Sequence, residues 1–213
     1  MDFKDTFPLM AYINLDKRTD RNELVKEEFR KSTVHPVRKP GFVPDNIENS
    51  WWKGVVGCIV SHYQIIQAAF LLNTNVFIFE DDILLKQYAL GVANSACKEL
   101  ENIEWDFLYL AANILKPFQQ VSPHLAKLQH CQSTVAYGIN KNFLETVLNN
   151  IHLDKIDRPI DVIYSDMAPN HNFYITVPMC GIQRDSFSDI EQANVNYSSY
   201  LEKRYNDNLI KLP

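Results

Sequence analysis

Val76-Phe77-Ile78-Phe79-Glu80-Asp81-Asp82 is a short apolar run that ends on three carboxylates. The bulky side chains from Val76 to Phe79 show no polar alternation, so they predict a strand covered on both faces, as in a parallel sheet. The acids that follow repel one another. A fold that gathers such groups at a strand's carboxyl end commonly supplies a cation to offset them, and in open α/β sheets ligands bind at that end. An acidic triplet alone is more often a solvated turn. Here the preceding strand fixes where the acids point, and extended geometry puts Glu80 and Asp82 on one side with Asp81 on the other.

Upstream, Leu9 to Leu15 predicts a first strand that breaks into Asp16-Lys17-Arg18-Thr19-Asp20-Arg21. Asp20 and Glu23 have capping-box spacing, and a helix is expected to run to about Lys31. Arg18 and Arg21 then stand at a helix start, where guanidinium groups and free N–H groups can meet a pyrophosphate; the competing reading pairs them with Asp16 and Asp20. Residues 32–52, broken by Pro36, Pro40, Gly41 and Pro44, read as a long loop. Gly54 and Gly57 precede a helix expected to reach Leu72, with Ile59, Tyr63, Ile66 and Phe70 on one face. His62 lies inside it, where a histidine is more often a hydrogen-bonded packing residue than a catalyst.

Downstream, Tyr88 to Leu100 predicts a helix and Trp105 to Ala112 a buried strand. Residues 113–130 read as a loop or short-helix excursion over a cleft. Gln132 to Ile139 predicts a strand, with Asn140 capping a helix through Leu148. Asp154, Asp157, Asp161 and Asp166 gather around Pro159, Phe173 to Val177 reads as the last strand, and the tail from Asn194 as peripheral. Strands alternating with helices predict an α/β, Rossmann-like, mostly parallel sheet flanked by helices.

The 213 residues are long enough for one generous domain. With 46% hydrophobic and 22% charged residues the composition is that of a globular chain. A net charge of −5 without a basic block disfavours nucleic-acid binding. The opening Met1-Asp2-Phe3-Lys4-Asp5 leads into no signal-type apolar region, and no run was expected to span a membrane, so a cytoplasmic, soluble chain is expected unless a larger parent carries the targeting. Cys58, Cys97, Cys131 and Cys180 lack metal-knuckle or redox spacing and are expected as reduced thiols.

Five segments in register resemble glycosyltransferase family 25, which includes lipooligosaccharide and procollagen galactosyltransferases. They are Tyr12 to Arg21, Gly57-Cys58-Ile59-Val60-Ser61-His62, Phe77 to Asp82, Ala136-Tyr137-Gly138-Ile139, and Pro178 through Gln183 to Ile190. The resemblance implies a GT-A-type fold, with a nucleotide-binding half over about 1–112 and an acceptor-side half over about 113–213, and a metal-dependent inverting hexosyltransferase. Its donor would be UDP-galactose or UDP-glucose, and its divalent ion manganese or magnesium. The acceptor hydroxyl would lie on a glycan, a lipooligosaccharide or a collagen-like hydroxylysine. By the same likeness Asp82 is the first metal ligand with Glu80 or Asp81 as companion, and His171 a late one. Asp81 approaches the ribose or the metal through water, while Asn14, Arg18 and Arg21 meet uracil and phosphate. Ser61 and His62 face the cleft, and Gln183 and Ser186, with Ser188, bind sugar or phosphate. Asp161, or else Asp166, serves as the base that an inverting transfer requires. The alternatives are a catalytically degenerate nucleotide-sugar binder and a structural partner in a glycosylation complex. A phosphotransfer receiver is excluded because its first strand would end in acids, and this one ends in Asn14.

Overall fold

The computed structural model describes residues 1–30 and 32–212. Its first elements are α1 (Phe3–Thr6), β1 (Leu9–Asn14), α2 (Thr19–Phe29), β2 (Val37–Pro40) and α3 (Ser50–Leu71). The acidic run forms β3 (Val76–Glu80), followed by β4 (Ile83–Leu85), α4 (Ala89–Leu100) and β5 (Phe107–Ile114). The second half holds β6 (Phe118–Ser122), β7 (Leu125–Lys127), β8 (Cys131–Ile139), α5 (Leu144–Asn150), α6 (Ile160–Met167) and β9 (Phe173–Thr176). It closes with β10 (Gly181–Gln183), β11 (Ser186–Ser188), β12 (Ala193–Val195), α7 (Ser198–Asn208) and β13 (Leu209–Ile210).

Nine strands form the main sheet in the order β13-β6-β7-β9-β5-β8-β3-β1-β2. Only β7 and β8 run against the others, so the sheet is mostly parallel, as the unbroken apolar strands imply. Val76 to Phe79 are all buried, with a core on each face. On one face Ile78 joins the α3 residues Ile59 and Ile66; on the other Phe77 and Phe79 pack with Phe3, Phe7, Phe29 and the α4 alanines. The α/β architecture expected from the sequence, a mostly parallel sheet flanked by helices, is the observed one.

Several expectations are corrected. Arg18, not Asp20, is the residue before α2; it has no capping side-chain bond, and Asp20 sits inside the first turn with its carboxylate on Arg18. Lys31, the expected helix end, lies outside the described residues. The broken stretch 32–52 contains β2, which adds in parallel to β1 as the sheet edge, where a proline is tolerated. Helix α3 starts at Ser50, because the Asn49 side chain accepts from the Trp52 N–H; Gly54 and Gly57 therefore lie inside it. A Cβ on Gly57 would stand 2.6 Å from the Phe42 carbonyl oxygen, so that glycine admits a close crossing by the 32–52 segment. The face expected on α3 is also revised, since Phe70 is exposed while Ile65 is buried.

The excursion 113–130 is strand, not loop: β5 runs on to Ile114, and β6 and β7 extend the sheet. β9 is not the last strand, and the tail is not peripheral. Leu201 and Tyr205 of α7 are buried, and the Tyr205 hydroxyl donates to the Thr176 carbonyl. Among the described residues α3 alone is long and apolar enough to cross a membrane, a length the sequence reading did not anticipate. Its apolarity is spent on the core, where Val55, Ile59, Ile65, Ile66 and Ala69 pack. All four cysteines are free thiols.

Candidate functional site

The acidic residues close β3 at its carboxyl end, and Asp81 and Asp82 form the turn into β4. All three line a cavity of about 410 Å³ that also takes in Ile13, Lys17, Arg21, Lys53 and Asp189. A buried turn with two aspartates must satisfy many lone pairs. Asp81 accepts from Asn14 Nδ2 at 2.7 Å and from Arg21 Nη1 at 2.8 Å. Asp82 accepts from the same Nη1 at 2.9 Å and from Gln183 Nε2 at 3.1 Å. Its other oxygen, Oδ1, is buried and has no partner among the described residues.

Glu80 lies on the other side of the turn. Its Oε1 accepts from Thr134 Oγ1 and stands 3.4 Å from His62 Nε2, while His62 Nδ1 is 2.8 Å from the Tyr137 hydroxyl. His62 is thus both things the sequence allowed, a hydrogen-bonded core residue and part of the cavity wall.

Burial raises the Asp82 carboxyl to about 7, with the Glu80 charge adding to the rise and Arg21 opposing it. Asp81 is also raised by burial, against the pull of Arg21 and Asn14. Burial pushes Glu80 upward too, but His62 and Thr134 outweigh it and hold Glu80 below its ordinary value.

At the turn three carboxylates face one guanidinium, and over the whole cavity Glu80, Asp81, Asp82 and Asp189 outnumber Lys17, Arg21 and Lys53 by one, a small excess of negative charge. That excess, and the orphaned Oδ1 of Asp82, fit a hard divalent cation held by oxygen ligands. Cys58, His62 and Glu80 have ligand atoms within 4.8 Å of one another, but this mixed set has the character of a softer metal. His171 belongs to neither group. The register Phe173, Phe107, Ile139, Val76 runs along the strand-start edge of the sheet, opposite the acids. His171 sits beside that row, stacked on Phe173 and edge-on to Phe143.

Of the other expected residues, Arg21, Ser61, His62 and Gln183 line the cavity. Ser61 is spent on the backbone, donating to the Gly57 carbonyl and accepting from the Phe42 N–H. Asn14 stands behind Asp81, with its Oδ1 taken by Arg38. Arg18 pairs with Asp20 and Asp189, the bland alternative for that residue, and Ser186 accepts from Arg21 Nη2 at 2.7 Å. Asp161 opens α6 and accepts from the Ser133 N–H at 3.1 Å, and burial raises its carboxyl. Asp166 faces away and pairs with Arg158 at the surface. Sequence reasoning missed Lys17 and Lys53 on the cavity wall and Thr134 on Glu80. Lys17 lies within the Tyr12 to Arg21 segment but was given no role there, Lys53 carried no motif, and Thr134 was hidden in an ordinary strand.

A mostly parallel α/β sheet with carboxylates crowded at a strand's carboxyl end defines the architectural class. Within it, the family model for glycosyltransferase family 25 (LPS biosynthesis protein) matches residues 46–149. That match spans the segment carrying α3, β3 and β8 and supports the resemblance read from the motifs there. It is 26% identical over 144 residues to the probable inactive glycosyltransferase 25 family member 3 of Bos taurus, covering 63% of this chain and 24% of that protein. The inactive glycosyltransferase 25 family member 3 of Homo sapiens matches with the same identity and coverage. The chain thus spans about a quarter of the length of these curated relatives. Among solved structures, a glycosyltransferase involved in glycosylation of the major capsid of PBCV-1 aligns at TM-score 0.47 and 11% identity, over 93% of this chain and 98% of that one. A UDP-glucose pyrophosphorylase complexed with UDP-glucose aligns at TM-score 0.49 and 8% identity, over 93% and 80%.

Proposed function

We propose that this chain is a metal-dependent inverting glycosyltransferase that moves a hexose from a UDP-sugar to an acceptor hydroxyl, working as a single domain. The observation that carries the reading is the buried, unpartnered Oδ1 of Asp82 beside Asp81 and Glu80 in a cavity with Lys17 and Lys53 on its walls. Asp82 is the principal ligand, with Glu80 or Asp81 as companion. Manganese, or magnesium, would supply positive charge against the diphosphate that leaves.

The chain's own groups do the rest. Lys17 and Lys53 attract the phosphates, and Arg21 neutralises Asp81 and Asp82. Gln183 orients Asp82. Asp161, raised by burial and aimed by the Ser133 N–H, is the base for the acceptor hydroxyl. Asp166 and His171 are left out of this scheme by their placement.

The test is isothermal titration of UDP with and without manganese, followed by UDP release from UDP-galactose and UDP-glucose. Binding that requires manganese supports the reading; UDP binding indifferent to the metal overturns it. A second reading, a binder without turnover, is favoured by Arg21 already bridging Asp81 and Asp82 and by relatives named inactive. It predicts metal-dependent binding with no UDP release.

A further inference from the structure

A second cavity of about 300 Å³ adjoins the acidic edge. Cys58, Glu80, Gln183, Ser188 and Ile190 line both cavities, so a single wall separates them. Its floor is an interruption in the sheet. The β5–β8 pairing slips register between Ala111 and Asn113, and Ser133 opposite takes a left-handed backbone at φ 75°. A residue with a side chain adopts that conformation only when its surroundings impose it, and register slips of this kind gather beside binding sites.

The floor carries an unused acceptor. Asn113 Oδ1 is buried without a partner among the described residues, and Asn113 lines the cavity. A bound hydroxyl or amine would satisfy it. At the rim Trp51 and Tyr200 remain 37% and 42% exposed, offering aromatic faces of the kind that cover the apolar face of a sugar ring. The charged lining is of one sign. Glu80, Asp161 and Glu191 are present with no lysine, arginine or histidine among the described residues, whereas the first cavity carries Lys17, Arg21 and Lys53.

Resting on the transferase reading above, we propose that this second cavity is the acceptor subsite and that it selects by charge, admitting a neutral or amino-bearing hexose and excluding an anionic one. A diphosphate is drawn to the first cavity by its basic residues, and the second repels any carboxylate or phosphate on the incoming sugar. The cavities thereby divide donor from acceptor without a lid.

Three hexoses that differ by one group make the test: galactosamine, galactose and galacturonate. Their binding to the full chain is titrated by saturation-transfer NMR, and UDP binding with manganese is measured separately. Galactosamine and galactose should bind, with galacturonate weaker by about tenfold or more, the penalty of one like charge in a poorly screened cavity. Asn113→Leu should weaken galactose by about tenfold while UDP affinity stays unchanged, because Asn113 lines only the second cavity. Glu191→Lys, at an exposed position that does not threaten folding, should shrink the galacturonate penalty by about threefold or more. Galacturonate binding as well as galactose overturns the proposal, and so does UDP binding with no hexose response. If the hexose order holds but UDP does not bind, the charge-selective saccharide site stands and the transferase reading falls.

Discussion

Replacing Arg21 with methionine keeps most of the aliphatic stem and deletes the one positive charge bridging Asp81 and Asp82. In the native chain Nη1 lies 2.8 Å from Asp81 and 2.9 Å from Asp82, and the three side chains are only 11%, 9% and 6% exposed. Breaking a buried ion pair from one side costs about 3–5 kcal/mol, because the abandoned charge stays buried. At about 2–4 °C per kcal/mol for a chain of this length, the melting temperature should fall by about 6–20 °C. The same change opens both aspartates to a divalent ion. Manganese at about a hundred times its Kd returns about 2.7 kcal/mol, half or more of the loss. Scanning fluorimetry of the native chain, Arg21→Met and the charge-keeping Arg21→Lys, each with and without manganese, measures all of this. The reasoning is refuted if Arg21→Met melts within about 2 °C of the native chain, a shift no larger than surface changes give. It also fails if the variant is destabilised and manganese restores nothing, since the carboxylates then do not form a cation site.

Three further outcomes are expected. Asp82→Asn should abolish manganese-dependent UDP binding in calorimetry while leaving the circular dichroism spectrum intact. The same pair of proteins tests the pH dependence. Asp82 is raised to about 7 by burial and Glu80, so its protonated form adds stability that is complete below about 3.9, its value in an unfolded chain, and lost as pH rises through about 7. The melting temperature of the native chain minus that of Asp82→Asn should therefore fall between pH 5.5 and pH 8.5 in metal-free buffer, and a flat difference contradicts the assignment. Gly138→Ala places a Cβ 2.4 Å from the Phe7 ring and 2.6 Å from Phe77, so it should cost about 1–3 kcal/mol by overpacking, without changing UDP affinity.

How much of this was legible in the sequence follows from which interactions are local. Val76 to Phe79 announce a doubly covered strand because burial on both faces removes every reason for polar alternation, and Glu80 to Asp82 mark its end because such charges cannot continue into the core. Both signals lie within seven residues. The failures involve partners far apart in the chain. β2 hides in a proline-broken stretch because an edge strand needs only one neighbour, and that neighbour lies more than twenty residues away. Helix α7 hides in a polar tail because only Leu201 and Tyr205 of its 11 residues are buried.

The arginines show the same division more sharply. Arg18 and Arg21 stand three apart on one turn and are equivalent on spacing, yet Arg18 meets Asp189 while Arg21 meets Asp81 and Asp82. What separates them is the return of the chain at residues 184–189 over the mouth of the cavity, where the Phe187 carbonyl accepts from both guanidinium groups. That segment is anchored from beneath, since the Arg184 N–H donates to the Asp82 carbonyl at 2.7 Å and Arg184 pairs with Glu28. The cation that neutralises the acids is therefore chosen by tertiary closure rather than by motif. Under the transferase proposal, a divalent ion would for the same reason compete with Arg21 for Asp81 and Asp82, and the balance between those two cations would separate turnover of a UDP-sugar from mere binding.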